Sequence, residues 1–418
     1  MNILVVGSGG REHAIVKKIS ESKRVKKIYC APGNGGISDI AECVNIKVME
    51  FDKLVDFAKT NNIDLTVIGP DDPLVMGISD AFIKAGLKVF GPTKDGAQIE
   101  GSKVFSKELM KKYNIPTAKY EVFESYDEAY NYILNENTYP TVIKAEGLAL
   151  GKGVIIANNL KEAEDALKEI MVDKIFGDSG NRVVIEEFLT GPEISVLSFC
   201  DGETIVPMVS AQDHKRAYDN DMGPNTGGMG TFSPSRIYDK AKEEECMEKI
   251  FKPTVAALRS EGIIYKGVIF FGLMSTKDGV KVIEYNARFG DPETQVVLPR
   301  LKTDIIDIFE AVCDGTLDKV NVEWEDNACV CVVEASGGYP KKYQTGYEIS
   351  GLSNMNENIF VYHAGTKKEN GKYLTAGGRV LGITAKSKDL DTAISDAYNA
   401  VKNISFTDVH YRKDIGIK

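Results

Sequence analysis

From Met1 to about Glu100, short apolar runs alternate with helical stretches, and that alternation leaves few folds open. Ile3–Val6, Lys27–Cys30, Leu65–Ile68 and Lys88–Phe90 read as strands, and Glu12–Ile19, Phe51–Thr60 and Gly77–Ala85 as helices. Strands separated by helices build a parallel sheet with helices on both faces. Glycine-rich turns follow three of these strands, at Gly7-Ser8-Gly9-Gly10, Pro32–Gly36 and Gly69-Pro70. Ligands of open α/β sheets bind beyond the carboxyl ends of the strands, where such turns lie.

Past Gly101 the texture changes. A lysine-rich helix, Lys103 to Lys112, leads into a small α+β stretch from Tyr120 to about Phe188, which contains a glycine loop at Gly147–Gly153. Ser210–Pro234 reads as a long irregular segment, and a long loop inside a compact enzyme is usually functional. Val268–Met274 and Val280–Ala287 read as a hairpin around Lys277-Asp278-Gly279. A β-rich tail from about Ala328 carries strands at Val330–Glu334, Ile359–Ala364 and Arg379–Thr384 and closes with a helix over Asp391–Lys402. The fold class is therefore α/β multidomain.

Charge and cysteine usage exclude several classes. The net charge of −10 gives no basic footprint for nucleic acid, although a local basic pocket for phosphates stays open. The seven cysteines are widely spaced and contain no C-x-x-C, which argues against a disulfide framework or zinc site and for a reducing, cytoplasmic setting. Cys329 and Cys331 are expected on one face of one strand. No signal-peptide core opens the chain, and no run approaches the roughly 18 apolar residues of a membrane span.

The first glycine turn invites a dinucleotide reading and fails it: the third glycine of G-x-G-x-x-G would fall on Glu12, and the acidic residue expected about 20 residues on is missing. A glycine turn opening a helix, with Arg11 in the first turn, suits one phosphate monoester, since free N–H groups and a bidentate guanidinium converge there. The loop from Lys144 to Gly153 is no Walker A motif, because Glu146 and Gly153 occupy its required glycine and hydroxyl positions; a glycine loop with a lysine can still close over phosphates. The strongest constellation is Val282–Arg288. On a strand, Glu284, Asn286 and Arg288 share one face, and Ile283, Tyr285 and Ala287 the other. Two hard oxygen ligands beside a guanidinium suit Mg²⁺ and phosphate.

These pieces, in this order, resemble the glycinamide ribonucleotide synthetase family of the ATP-grasp superfamily. The matching stretches are Gly7–His13, Pro32–Gly36, Gly101-Ser102-Lys103, Val142–Val154, Val184–Glu193, Gln212–Gly230, Ile283–Thr294, Ala335–Pro340 and Gly377–Val380, and the resemblance covers essentially the whole chain. It implies an N-terminal α/β phosphoribosylamine-binding domain at 1–101, an ATP-grasp region at 102–325 with a small lid domain near 120–188, and a β-rich C-terminal domain at 326–418. The implied activity is ATP-dependent ligation of glycine to 5-phosphoribosylamine through glycyl phosphate, in purine biosynthesis. The implied cofactors are ATP as substrate and Mg²⁺ or Mn²⁺, and the expected form is a monofunctional monomer without nucleic-acid or membrane partners.

Residue by residue, the resemblance puts ATP on Lys103, Lys144, Gly151, Lys152, Gly153, Glu186, Glu187 and Glu193, the metal on Glu284 and Asn286, and phosphoribosylamine on Gly9, Gly10 and Arg11. Arg288, Asp213 and Lys215 would be catalytic, with the Asp213–Arg216 segment lining the glycine site. The chain departs from the family pattern at Glu146 and Asp71, where the other acidic residue is usual; each change alters reach by one methylene. Ile269–Met274 carries no carboxylate, so no second metal ligand set is legible. Another ATP-grasp carboxylate–amine ligase, a nicotinamide oxidoreductase and a noncatalytic nucleotide-binding scaffold remain as alternatives.

Overall fold

The computed structural model describes residues 1–148, 153–353 and 355–417. Its first sheet is parallel, in the order β3-β2-β1-β4-β5, from β1 (Asn2–Gly7), β2 (Lys27–Pro32), β3 (Glu42–Cys43), β4 (Leu65–Ile68) and β5 (Val89–Phe90). β1 is apolar without alternation because both sheet faces are covered: Leu4 and Val6 join one buried cluster, Ile3 and Val5 another. Strand order reverses beside β1, so the crevice between the ends of β1 and β4 is the expected ligand position. The helix expected over Gly77–Ala85 is present as Ile78–Lys84; a further short helix, Asp71–Val75, precedes it, with Gly77 between them at φ +91°.

The second sheet, in the order β6-β9-β7-β8, consists of β6 (Tyr120–Phe123), β7 (Thr141–Ala145), β8 (Val154–Ala157) and β9 (Val183–Glu187). A buried apolar cluster packs on this sheet, with Ile143 and Val183 from its strands and Ile133, Leu167 and Ile170 from the helical segments beside it. The central strands are β10 (Glu193–Cys200), β11 (Ile205–Pro207), β12 (Gln212–Asp213), β13 (Arg216–Tyr218), β14 (Met222–Asn225), β15 (Gly230–Ser233), β16 (Gly267–Thr276) and β17 (Gly279–Asn286). Four of them make an antiparallel sheet, β11-β10-β16-β17. Ile194, Val196, Ile269 and Phe271 of this sheet share a buried cluster with Leu4 and Val6, so the N-terminal and central parts are packed as one body.

The segment 210–234, read above as irregular, is not: it holds β12 to β15. β13 and β14 pair with each other, while β12 and β15 form the edge of the last sheet, β12-β15-β18-β22-β19. That sheet is completed by β18 (Ala328–Ala335), β19 (Ile359–His363) and β22 (Arg379–Ser387), with β20 (Thr366–Glu369) and β21 (Lys372–Thr375) as a separate ribbon. Strands of two to four residues carry too little alternation to be read. Here β15 is held by β18, about a hundred residues on, from Gly230 opposite Val332 to Ser233 opposite Cys329.

β18 buries Glu334 completely, and neither carboxylate oxygen has a hydrogen-bond partner among the described residues. Burial alone pushes its carboxyl up to about 8 from an ordinary 4.5. The protonated form is therefore the folded form at neutral pH, and stability falls as pH rises from about 4.5 to about 8, at roughly 1.4 kcal/mol per unit. Glu334→Gln is expected to flatten that decline and to raise the melting temperature at pH 8.5 but not at pH 4.5. Equal shifts at both pH values in thermal unfolding would contradict this.

Candidate active site

The cleft lies where the 120–188 unit faces the central sheet. Lys144, on β7, is buried and pairs with Glu186 of β9 at 2.9 Å; its ammonium also reaches the Ile283 carbonyl of β17 at 3.3 Å. The other Glu186 oxygen pairs at 3.0 Å with Lys107, which also donates to the Thr117 hydroxyl at 2.8 Å. Glu186 is thus held between two buried lysines. Burial outweighs its carboxylate and lowers Lys107 to about 8. Lys103 is lowered to about 8 as well, by burial and by the neighbouring Lys144, and its ammonium donates to the Gly147 carbonyl. Lys107 was missed in the sequence; it stands four residues after Lys103, one turn along the same helix face, and that spacing was the available signal.

On the far wall, Lys215 bridges Glu193 at 3.1 Å and Glu284 at 3.5 Å. Glu193 first, then Glu284 and Asp213, hold this ammonium well above its usual range against burial. Lys215 in turn keeps Glu284 ionised below the ordinary carboxylate range. β17 carries a bulge just before Glu284: Gly272 pairs with Glu284 but Leu273 with Val282, so Ile283 is the extra residue. The bulge turns Val282 and Tyr285 both inward and leaves Glu284, Asn286 and Arg288 half-buried on the cleft side. Ile283 is half-buried too and does not share the buried face with Tyr285 and Ala287, which corrects the simple alternation read above. The Asn286 amide nitrogen donates to the Tyr285 carbonyl at 2.7 Å, leaving its oxygen for a ligand. One ionised carboxylate and one amide oxygen, side by side, fit a hard divalent cation.

Beyond β17 the chain turns to the N-terminal sheet. Arg288 pairs with Glu100 at 2.9 Å and stands 3.6 Å from Asp71; it donates to the Phe289 carbonyl at 3.3 Å. Arg11 donates to the same carbonyl at 3.0 Å and pairs through Nε with Glu12 at 2.7 Å. Burial opposes the Arg11 charge, but Glu12, Asp291 and Asp71 more than offset it and raise its pKa. Two guanidinium groups therefore converge on one peptide oxygen at the mouth of β1 and β4. The Arg11 N–H at the helix start faces the Asp291 carboxylate at 3.4 Å.

Glu12 explains why this turn departs from a dinucleotide fingerprint. Its carboxylate accepts from the Gly9 N–H at 2.6 Å. A β-carbon on Gly7 would lie 2.4 Å from its side chain, and one on Gly69 2.2 Å. The side chain fills the crevice between β1 and β4 where a pyrophosphate would approach the backbone. Gly10 is packed as tightly: a β-carbon there would meet Gln295 at 2.6 Å.

The remaining expected residues fall as follows. Glu187 points away from Glu186 and meets the Lys119 N–H at 3.0 Å and Lys281 at 3.2 Å. Asp213 is pushed well up by burial and by the Glu293 carboxylate, and Glu293 is itself raised by burial. Glu293 and Glu100 were given no role from the sequence because nothing local distinguishes them from surface acids, and Glu12 was read only as the residue that breaks the dinucleotide fingerprint. The Gly153 carbonyl accepts from the Ala145 N–H at 2.8 Å, which closes the base of the 147–153 loop. Gly151 and Lys152 lie outside the described residues. Among the described residues no group of three or more His, Cys, Asp or Glu side chains is placed to hold a metal ion.

Three family models match the chain in succession: phosphoribosylglycinamide synthetase N domain over residues 1–100, its ATP-grasp (A) domain over 101–294 and its C domain over 329–418. The phosphoribosylamine–glycine ligase of Caldanaerobacter subterraneus subsp. tengcongensis is 54% identical over 99% of both chains. The crystal structure of the Thermotoga maritima phosphoribosylamine–glycine ligase superposes with a TM-score of 0.86, at 32% identity, covering 99% of this chain and 100% of that one. The biotin carboxylase domain of Hydrogenobacter thermophilus 2-oxoglutarate carboxylase, solved with MgADP and bicarbonate, shares the fold at TM-score 0.76 and 15% identity, over 98% of this chain and 91% of that one.

Removing Lys107 leaves Glu186 buried with a single partner. Lys107→Ala is expected to destabilise the protein by about 2–3 kcal/mol. Urea unfolding measures this, and an unchanged midpoint would show that the Lys107–Glu186 pair contributes nothing net.

Proposed function

The chain belongs to the phosphoribosylglycinamide synthetase family, and from that premise we propose that this cleft joins glycine to 5-phosphoribosylamine at the expense of ATP. The enzyme is an ATP-dependent ligase of purine biosynthesis. The observation that carries the site assignment is the placement of Glu284, Asn286 and Arg288 along one cleft edge. At one end of that edge stand Lys215, Lys144 and Lys103, and at the other Arg11.

Glycine carboxylate is a poor electrophile, and attack on the γ-phosphate of ATP converts it to glycyl phosphate. The amine of phosphoribosylamine then attacks the acyl carbon and expels phosphate. Phosphoryl transfer asks for positioning and charge neutralisation rather than covalent help from the protein. Lys103 and Lys144 neutralise the ATP phosphates, with Glu186, Glu187, Glu193 and the 147–153 loop around the nucleotide. Glu284 and Asn286 would hold Mg²⁺ or Mn²⁺, which would supply Lewis-acid charge neutralisation for the ATP phosphates. Arg288 stabilises the transferring group, and Asp213 and Lys215 border the glycine site. The turn of Gly9, Gly10 and Arg11 takes the phosphate of phosphoribosylamine, and closure of the 120–188 unit excludes water from the acyl phosphate.

The same reading divides the chain into an N-terminal amine-binding domain (1–101), an ATP-grasp region (102–325) and a C-terminal domain (326–418), acting as a cytoplasmic monomer on small molecules alone. Among the described residues no helix is long and apolar enough to cross a membrane.

ADP release is expected only when Mg-ATP, glycine and phosphoribosylamine are all present. ADP formed with another acid in place of glycine would move the protein to a different carboxylate–amine ligase activity. Glu284→Gln is expected to abolish turnover in a folded protein; near-normal turnover at low Mg²⁺ would remove the metal assignment. Arg11→Ala is expected to raise the KM for phosphoribosylamine about tenfold, as loss of one charge-assisted phosphate contact does, with the KM for ATP unchanged. The opposite pattern would put the phosphate elsewhere.

A further inference from the structure

Glu100 belongs to none of the functional sets assigned above. It lies in the last turn of the helix Lys94–Gly101 and is 8% exposed. Its two oxygens grip consecutive residues of another part of the chain: one accepts from the Ala287 N–H at 2.7 Å, and the other pairs with the Arg288 guanidinium at 2.9 Å. The same carboxylate thus fixes the backbone where it leaves β17 and the side chain that follows. The other contacts of Arg288 are longer, to Phe289 at 3.3 Å and Asp71 at 3.6 Å, and its Nε is buried with no partner among the described residues. Among them, Glu100 makes the closest contact to the guanidinium and leaves one inward donor unused.

A buried carboxylate is retained here against a desolvation penalty that raises its pKa to about 7, with Arg288, Asp71, Arg11, Lys103 and Tyr265 as the charged or titratable groups around it. A residue kept only for packing needs no charge at such a place.

We propose that Glu100 is a positioning residue for the ligase reaction: it acts through Arg288, fixing the guanidinium at the cleft edge beside Glu284 and Asn286, where the transferring phosphoryl group is received. This rests on the role given to Arg288 above. Misplacing a guanidinium by about 1 Å costs up to a hundredfold in rate.

Glu100→Gln keeps the side-chain volume and an acceptor for the Ala287 N–H but gives up the charge. It is expected to lower kcat about ten- to hundredfold, with the KM for ATP within about twofold and the melting temperature not lowered. The discriminating measurement is a double-mutant cycle with Arg288→Ala, read by ADP release at high enzyme concentration. If Glu100 acts through Arg288, Glu100→Gln in the Arg288→Ala background changes kcat by less than about twofold, because there is no longer a guanidinium to place. An equal loss of kcat in both backgrounds overturns the proposal and leaves Arg288 its role. Full turnover in Arg288→Ala alone overturns the Arg288 assignment first, and the proposal with it. A fall in melting temperature that accounts for lost activity, with kcat per folded molecule unchanged, overturns it too.

Discussion

Four separate parts of the chain take hold of the C-terminal half of β17. Lys144 reaches the Ile283 carbonyl from the 120–188 unit, and Thr117, at the root of that unit, donates to the Val282 carbonyl at 2.7 Å. Lys215 comes in from the β12–β13 connection to Glu284. Glu100 reaches Ala287 and Arg288 from the helix that ends the N-terminal part. The bulge at Ile283 lies among these contacts. With Ile283 paired in regular alternation instead of bulged, strand parity would put Glu284 and Asn286 on the same face as Val282, in the core. The bulge keeps Val282 and Tyr285 inside while Glu284, Asn286 and Arg288 line the cleft.

The charges gathered around that strand are almost all compensated within the protein before any substrate arrives. Lys144 and Lys107 share Glu186, Lys215 is shared by Glu193 and Glu284, and Arg288 is held by Glu100. An isolated buried charge would cost several kcal/mol, so a cleft that must bind a polyphosphate cannot simply be left cationic. Internal carboxylates hold the lysines and arginines in place. An incoming anion then exchanges one negative partner for another instead of dehydrating a bare ammonium. The lowered pKa values of Lys103 and Lys107, near 8, mark where burial most nearly wins over that compensation.

The legible part of the fold is the part that rests on local pattern. The first parallel sheet, the hairpin of β16 and β17 and the placement of Cys329 and Cys331 together in one buried cluster all follow from runs and turns that each span only a few residues. The strands within 210–234 were illegible because β12 and β15 exist only through pairing that ends on β18. The site divides the same way. Glu284, Asn286 and Arg288 announce themselves by spacing on one strand. Glu100, 187 residues before Ala287, carries no local mark. Its significance appears only when the helix Lys94–Gly101 is laid against the end of β17.

Glu12 joins these threads at the other end of the site. In a dinucleotide-binding turn a glycine at that position lets the helix pack closely on the strand. Here a carboxylate occupies the space, 1% exposed, and its volume is what makes Gly7, Gly9 and Gly69 necessary: each would place a β-carbon within 2.8 Å of it. It closes the crevice to a pyrophosphate, caps the start of the helix Gly10–Ile19 and aligns Arg11. Arg11 is held 3.0 Å from the Phe289 carbonyl that Arg288 also touches. A single peptide oxygen thus fixes both guanidinium groups, which ties the helix start at Arg11 to the end of β17 at Arg288.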